Sequence, residues 1–199
     1  RHLRLGSRRH QELLGVAALL LSRSMARPTY PDLDMREAGA TRAKDRSTLR
    51  SLITSLRPQQ WTKNLFVLAA LPFGLKLFDP AAVAMALAAF AVFCVLSGVV
   101  YLVNDLYDRD NDRLHPTKRL RPIAAGDLSP GSAIVWAGLL ATAALSAALW
   151  IGPSFAAASA AYLTLFALYS RWLKHVVIID VLSIAIGFVL RTYAGAAAI

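Results

Sequence analysis

The sequence predicts an all-α protein, a polytopic bundle of transmembrane helices. Apolar residues make up 56% of the 199 residues and the mean hydropathy is +0.48, values that are high for a soluble domain. These residues also come in long uncharged blocks, as helices that cross a bilayer require, and not in amphipathic stripes. An integral membrane protein in contact with the lipid bilayer is therefore expected.

The apolar blocks predict about five spans. The first, Asn64–Phe78, is short, whereas the second, Ala81–Val103, contains 23 residues without a charge. Leu128–Ser170 is uncharged over 43 positions, about twice the length of one crossing. Gly152-Pro153 lies near its middle, which predicts a hairpin of two helices. Val176–Ile199 is the fifth predicted span.

The two ends of the chain differ from this pattern. Residues 1–50 are rich in Arg, Ser, Ala and Pro without sustained periodicity, so we expect a poorly ordered basic extension before a transmembrane domain over residues 51–199. Residues 1–24 precede Met25, a natural initiator, and both an appended segment and a genuine extension are open for them. The last residues end inside an apolar run without a polar flank, which predicts a chain truncated at its C-terminus.

Charge is distributed unevenly along the chain, whose formal net charge is +10. Residues 1–63 contain 13 basic and 5 acidic residues, which suits anionic lipid headgroups and argues against nucleic acid as a partner. Positive loops face the cytoplasm, so Asn104–Gly131 and Arg171–Lys174 are predicted there, in a multi-pass protein of the inner (plasma) membrane. The single cysteine, Cys94, excludes a disulfide within the chain.

The strongest candidate site is a box of three polar residues directly after the second span. Asn104, Asp108 and Asp112 recur every fourth position, so on a continuing helix they share one face and could bind Mg²⁺ through their oxygens. The basic residues that follow are Lys118, Arg119 and Arg121. Together they suit a metal-bound diphosphate at a membrane surface, with the active site facing the cytoplasm. The alternative is a solvated loop, because five acidic and five basic side chains balance between residues 104 and 131.

Two further clusters lie beside other spans. Arg57, Trp61 and Lys63 precede the first span, where they could bind phosphate or simply anchor the helix end at the interface.

The second cluster contains Tyr169, Lys174 and the intramembrane Asp180, for which function is the default expectation. Asp180 is expected to meet a metal ion or Lys174. The residues that follow it at +3, +7 and +11 are Ser183, Gly187 and Arg191, one stripe that is predicted to face the protein interior. For Arg191, phosphate binding and a structural role bonding helix carbonyls both remain open.

These motifs resemble the UbiA superfamily of intramembrane prenyltransferases. The Asn104-x₃-Asp108-x₃-Asp112 box, with Lys118-Arg-x-Arg-Pro-Ile-Ala-Ala-Gly126 behind it, is similar to the first aspartate-rich signature of that superfamily. Leu56-Arg-Pro-x-Gln-Trp-x-Lys-Asn64 and Tyr169-Ser-x-x-Leu-Lys174 look more like its decaprenyl-phosphate phosphoribosyltransferase branch. The second aspartate box of the aromatic prenyltransferases is absent, and only Asp180 lies near its expected place.

The resemblance implies a fold and a reaction. The fold is a nine-helix UbiA bundle, of which this chain would supply an N-terminal portion. The reaction is Mg²⁺-dependent transfer of 5-phosphoribose from phosphoribosyl diphosphate to polyprenyl (decaprenyl) phosphate, releasing diphosphate, for the synthesis of cell-wall arabinan precursors. A homo-oligomer is a further possibility. The alternatives are transfer of a prenyl group from prenyl diphosphate to an aromatic acceptor, and a non-catalytic membrane fragment.

The resemblance also assigns roles to residues. Asn104, Asp108 and Asp112 would bind the metal, and Asp108, Asp112 and Asp180 would be catalytic. The residues that would bind substrate are Lys63, Lys118, Arg119, Arg121, Tyr169, Lys174 and Arg191.

Overall fold

The computed structural model describes residues 48–199, which form α-helices and 3₁₀ segments. The predictions for the basic extension up to residue 47, and for an appended segment up to residue 24, lie outside the described residues. The α-helices are α1 Thr48–Ser55, α2 Ala70–Phe73, α3 Pro80–Leu114, α4 Pro122–Ala125, α5 Pro130–Ile151, α6 Pro153–Arg171 and α7 Val177–Ala198, and the 3₁₀ segments are Pro58–Ala69, Lys118–Leu120 and Leu173–His175.

The all-α prediction is confirmed, and the predicted spans correspond to helical segments of one bundle. Within residues 48–199, three helices are long and apolar enough to cross a membrane, namely α3, α5 and α7. Helix α6 has 19 residues, but its Ser, Thr and Tyr side chains make it more polar. The hairpin predicted at Gly152 is present, because α5 ends at Ile151 and α6 begins at Pro153.

The first predicted span, Asn64–Phe78, differs from a single α-helix. Most of it belongs to the 12-residue 3₁₀ segment Pro58–Ala69, and the short helix α2 then ends at Phe73. A 3₁₀ segment rises about 2.0 Å per residue, so it and α2 together extend about 30 Å, close to the thickness of a bilayer core. The tighter winding therefore lets a short segment reach as far as a longer α-helix.

Helix α3 is the longest element and carries the aspartate box. Asp79 caps its N-terminus by accepting from the backbone N–H groups of Ala81 and Ala82 at 2.9 and 3.3 Å, and Pro80 fills the first helical position. The helix continues past the predicted end of the span at Val103 to Leu114, a total of 35 residues. The expected continuation of the helix through the box is therefore confirmed.

Helix α3 also occupies the centre of the bundle, since it packs against α5, α6, α7 and the 3₁₀ segment Pro58–Ala69. The larger core cluster is aromatic at its middle, where Phe93 lies 5.8 Å from Phe155 and 5.3 Å from Tyr162 between ring centroids. A second cluster near the aspartate end of α3 includes Leu52 of α1, Leu102 and Ile123. The buried α3 residues of both clusters, from Ala89 to Leu102, precede Asn104, so the core packs the helix before the aspartate box begins.

The stripe predicted on α7 faces the protein interior, as expected. Ser183, Gly187 and Arg191 are all buried, and Gly195 continues the same line. A Cβ atom built at Gly195 would lie 1.9 Å from the carbonyl oxygen of Val67, so only glycine permits this contact between α7 and the 3₁₀ segment.

Candidate functional site

The last turns of α3 present the aspartate box, and its three members have different partners. Asn104 donates from Nδ2 to Oδ2 of Asp108 at 3.1 Å, one helical turn away. Asp112 is buried, with its Oδ2 accepting from an Arg121 N–H at 2.6 Å. Asp112 thus lies in the last turn of α3, as the spacing predicted, but its carboxylate is turned toward Arg121 and away from solvent.

The inner cavity has a volume of ≈ 340 Å³ and lies between α3, α6, α7 and the 3₁₀ segment Pro58–Ala69. Its polar lining residues include Arg57, Lys63, Asn104, Asp108, Tyr169, Lys174 and Arg191. Among the described residues that line it, four are Lys or Arg and one is acidic. The cavity is therefore suited to a ligand with several negative charges.

The surface cavity is a second space, of ≈ 290 Å³, at the end of α3. It is lined by Asp108, Asn111, Asp112, His115, Lys118 and Lys174. Asp108 and Lys174 line both cavities, and the Lys174 ammonium forms an ion pair with Oδ1 of Asp108. This ion pair stands at the junction between the basic inner cavity and the more acidic surface cavity.

The donor set of these cavities fits a magnesium ion. Within residues 48–199, no three His, Cys, Asp or Glu side chains form a group able to hold a metal ion alone. Magnesium, however, usually takes one or two carboxylates and completes its shell with water and substrate phosphates. Asp108 and Asp112 line the surface cavity, and Asn104 and Asp108 line the inner cavity. Hard oxygen donors beside basic residues match that requirement.

The 3₁₀ segment Leu173–His175 separates Lys174 from Asp180. Lys174 pairs with Asp108 of α3, whereas Asp180 accepts from the Tyr169 hydroxyl at 2.7 Å. Asp180 thus pairs with Tyr169 and not with Lys174, one of its two expected partners, because Lys174 pairs with Asp108 of α3. The other expected partner of Asp180, a metal ion, stays a prediction. Because the Tyr169 hydroxyl uses its hydrogen in the bond to Asp180, the hydroxyl oxygen keeps lone pairs that can accept a hydrogen bond. Tyr169 lines the inner cavity, where a ligand could donate that bond.

Arg191 is the buried centre of a polar network inside the bundle. Its guanidinium donates to Oδ1 of Asn64 at 3.0 Å, to the Gly187 carbonyl at 3.0 Å and to the Tyr162 hydroxyl at 2.6 Å. Asn64 in turn donates to Ser97 Oγ of α3 at 3.0 Å. These bonds join four elements and favour the structural alternative for Arg191, although Arg191 also lines the inner cavity.

The sequence interpretation missed Asp105, the least exposed carboxylate of this region. Its side chain is only 2% exposed, and its Oδ1 accepts from Arg57 at 2.5 Å and from Arg121 at 3.2 Å. Asp105 is one position off the stripe of the box, so helical spacing gave no signal for it. Its signal was its position: a charge two residues beyond an uncharged 23-residue run requires a partner.

The remaining predicted basic residues are less closely grouped. Lys63 lines the inner cavity and Lys118 lines the surface cavity. Arg119 is exposed in the 3₁₀ segment Lys118–Leu120. Arg121 turns toward the buried carboxylates Asp105 and Asp112. Thus Lys118 lines a cavity and Arg121 pairs with buried carboxylates, although the two residues are close in sequence.

The chain is similar to curated proteins over most of its length. The decaprenyl-phosphate phosphoribosyltransferase of Mycolicibacterium smegmatis is 40% identical over 167 residues, covering 81% of this chain and 52% of that protein. The protein of the same name from Corynebacterium glutamicum is 42% identical, covering 74% of this chain and 46% of that protein. The chain thus spans about half the length of the curated relatives it matches.

Solved structures and a family profile also match. A UbiA homolog from Archaeoglobus fulgidus, bound to DMAPP and Mg²⁺, has a TM-score of 0.64 and 26% identity, covering 74% of this chain and 54% of that structure. The same homolog bound to GPP and Mg²⁺ has a TM-score of 0.61. The profile of the UbiA prenyltransferase family matches residues 62–199, which include the box, the basic residues behind it and the whole of α7. The chain is an integral membrane protein that belongs to the UbiA prenyltransferase family.

Proposed function

We propose that the protein transfers 5-phosphoribose from phosphoribosyl diphosphate to polyprenyl (decaprenyl) phosphate and releases diphosphate. The observation that carries the proposal is the basic inner cavity, which meets the surface cavity, with two aspartates and two lysines in its lining, at Asp108 and Lys174. A donor with a diphosphate and an additional 5-phosphate has the negative charge that such a pair of cavities can hold. The names of the relatives support the same donor and acceptor, and synthesis of cell-wall arabinan precursors is the proposed purpose.

The donor's diphosphate would lie at the box. Asn104, Asp108 and Asp112 would hold Mg²⁺, which would neutralise charge on the diphosphate. Lys118 would contact the phosphates from the surface cavity. The 5-phosphate would take its contacts from the basic wall of the inner cavity, where Lys174 and Lys63 are located. Tyr169, oriented by Asp180, would accept a hydrogen bond from a ribose hydroxyl.

The reaction exchanges one C–O bond for another at the anomeric carbon. The bond to the diphosphate oxygen breaks, and diphosphate leaves with the electron pair while the ribose gains oxocarbenium character. Basic residues close to the leaving group stabilise the charge that develops on it. An oxygen of the lipid phosphate attacks from the opposite face. Because that oxygen is already an anion, no strong base is needed, which agrees with a cavity rich in cations.

The acceptor's polyprenyl chain would lie against the apolar surface of the bundle. Val181, Ile184 and Val189 of α7 are exposed in the protein alone, as lipid-facing residues are. Ile184 and Phe188 also line the inner cavity, so an apolar chain and a phosphate could be accommodated along one path. Self-association of the protein stays a prediction.

Donor choice distinguishes this reaction from transfer of a prenyl group. With Mg²⁺ present, we expect phosphoribosyl diphosphate to bind the full-length protein far better than geranyl or farnesyl diphosphate, because it has the additional 5-phosphate. Lys174→Ala should weaken donor binding by about 1.5–3 kcal/mol if the ammonium makes a charge-assisted contact with phosphate. Competition titration measures both effects.

Lys76→Ala is the matched control, because Lys76 contacts the carbonyl of Ile199 and lines neither the inner nor the surface cavity. Its donor affinity should equal that of the wild type. Equal affinity for prenyl diphosphates, with Lys174→Ala unaffected, would favour an aromatic prenyltransferase, as the prenyl-diphosphate complexes of the structural neighbours allow. Absence of binding to every diphosphate would favour a non-catalytic membrane protein.

The proposed orientation places the box in the cytoplasm, at the inner (plasma) membrane. In a Cys94→Ala background, Asn111→Cys should react with an impermeant thiol reagent only from the cytoplasmic side, and Gly152→Cys only from outside. Short positive loops stay inside, and these two positions lie at opposite ends of the bundle. Labelling of position 111 from outside would contradict both the orientation and access to a cytoplasmic sugar donor.

A further inference from the structure

We propose that Asp105 is a positioning residue that aims Arg57 at the donor phosphates in the inner cavity. Asp105 itself does not line that cavity, so it would act through the arginine. The proposal rests on the proposed function, because it names a phosphate contact for the same donor.

Asp105 is a buried carboxylate that forms ion pairs with two arginines. The side chain is 2% exposed, and one oxygen, Oδ1, accepts from two guanidinium groups. One of these belongs to Arg57, which is 48 residues earlier in the chain, at the start of the 3₁₀ segment. A buried carboxylate is costly unless it is paired, and these two arginines provide that pairing.

Arg57 is held in place from three directions. Its guanidinium donates to Asp105, and the guanidinium carbon lies 4.7 Å from the centre of the Tyr101 ring. Its backbone is in the left-handed region, with φ 51° and ψ 64°, which a residue with a Cβ adopts only when its surroundings hold it there. Strained backbone is common beside ligand sites, where the strain fixes a side chain in advance.

The remaining donors of Arg57 are available to a ligand. Within residues 48–199, the bond to Asp105 uses one of the five N–H groups of the guanidinium, and the side chain is 21% exposed at the wall of the inner cavity. A planar guanidinium that is already oriented can bind two phosphate oxygens at once. The oriented guanidinium of Arg57 is therefore suited to bind a phosphate group of the proposed donor.

Arg121 connects Asp105 to the surface cavity. The same Arg121 nitrogen that contacts Asp105 also donates to Asp112, which lines the surface cavity. Two carboxylates and two arginines thus form a chain, Arg57–Asp105–Arg121–Asp112, from one cavity to the other. An amide at position 105 would keep the shape but remove the charge that orders both guanidinium groups.

Chemical modification of Arg57 tests the positioning without any ligand. An arginine-selective dicarbonyl reagent, followed by peptide mapping, should modify Arg57 severalfold faster in Asp105→Asn than in the wild type. Asp110→Asn is the matched control, because Asp110 is on the same helix with its side chain 78% exposed. In the wild type, phosphoribosyl diphosphate with Mg²⁺ should protect Arg57 from the reagent.

Donor affinity in a double-mutant cycle tests the link to binding. Asp105→Asn and Arg57→Gln should each weaken binding of phosphoribosyl diphosphate about tenfold, the size of one lost charge-assisted hydrogen bond. The double variant should bind no more weakly than Asp105→Asn alone, because the contact through Arg57 is already lost in that variant. If Asp105→Asn fails to accumulate in membranes, Arg57→Lys replaces it, since lysine keeps the charge but lacks the planar fork.

An unchanged modification rate of Arg57 in Asp105→Asn would overturn the proposal, as would additive losses in the double variant or wild-type affinity in Arg57→Lys. A wild type without affinity for phosphoribosyl diphosphate would contradict the proposed function instead. In that case faster modification of Arg57 in Asp105→Asn would still support the positioning role.

Discussion

Asp108→Asn is expected to lower kcat at least about 10²–10³-fold, the usual cost of removing one group that stabilises developing charge. Asp108 lies at the junction of the two cavities and is the only acidic residue among the described residues that line the inner one. The amide keeps the size of the side chain but loses the negative charge that would bind the proposed metal ion. The assay follows transfer of labelled phosphoribose to polyprenyl phosphate by the full-length protein, with and without Mg²⁺.

Folding should survive the same substitution. The side chain of Asp108 is 24% exposed and that of Lys174 is 18% exposed, so water can replace part of their ion pair. We expect a stability cost of about 1 kcal/mol or less, as for other accessible pairs. Asp110→Asn, at the exposed face of α3, should leave turnover unchanged. Normal turnover in Asp108→Asn would remove Asp108 from the proposed site.

Asp112→Asn should also abolish turnover, but its interpretation differs. Asp112 is buried against Arg121, which contacts Asp105 as well. Loss of its charge leaves a guanidinium with one carboxylate, so lower stability should accompany lower activity. Asp108 is therefore the cleaner test of the chemistry, and thermal unfolding of both variants separates the two effects.

Gly195→Ala should destabilise the protein by about 3 kcal/mol or more, the upper range for added volume in a packed core. The new Cβ would lie 1.9 Å from the carbonyl oxygen of Val67 and 2.8 Å from its carbonyl carbon. Both are backbone atoms of a helical segment, so α7 or the 3₁₀ segment must move as a unit. Thermal unfolding of the detergent-solubilised protein measures the loss.

Gly138→Ala provides the comparison for this substitution. Gly138 is in the middle of α5, and a Cβ there meets no atom within 4 Å. Alanine should stabilise that helix by about 0.5–1 kcal/mol, because it reduces the backbone entropy lost on folding. A Gly195→Ala protein that is as stable as the wild type would show that α7 and the 3₁₀ segment do not approach this closely.

The sequence was sufficient for the features that depend on composition and helical spacing. The uncharged run from Ala81 and the recurrence of Asn104, Asp108 and Asp112 predicted a helix that passes through the box, and α3 has that form. The stripe from Ser183 to Arg191 predicted the buried face of α7 for the same reason. In both cases neighbours along one helix determine the result.

Other features depend on contacts between distant segments. The 3₁₀ winding of Pro58–Ala69 accompanies the close contact of Val67 with Gly195, which no local pattern reveals. The partner of Lys174 depends on the turn that directs it to α3, and Asp105 is recognisable only once Arg57 and Arg121 converge on it. Pairings across 16 to 66 residues therefore separate the observed site from the predicted one.

The unbroken course of α3 links the depth of the protein in the membrane to the direction of the face that carries the aspartate box. At 1.5 Å per residue its 35 residues extend about 52 Å, well beyond a bilayer core of about 30 Å. One residue inserted before Asn104 would rotate everything after it by about 100° and turn Asp108 away from Lys174. A change of about seven residues, two turns, restores the direction to within about 20°, and a change of about four residues leaves it about 40° away. The length of helix between the span and the box can therefore vary only by amounts close to whole helical turns.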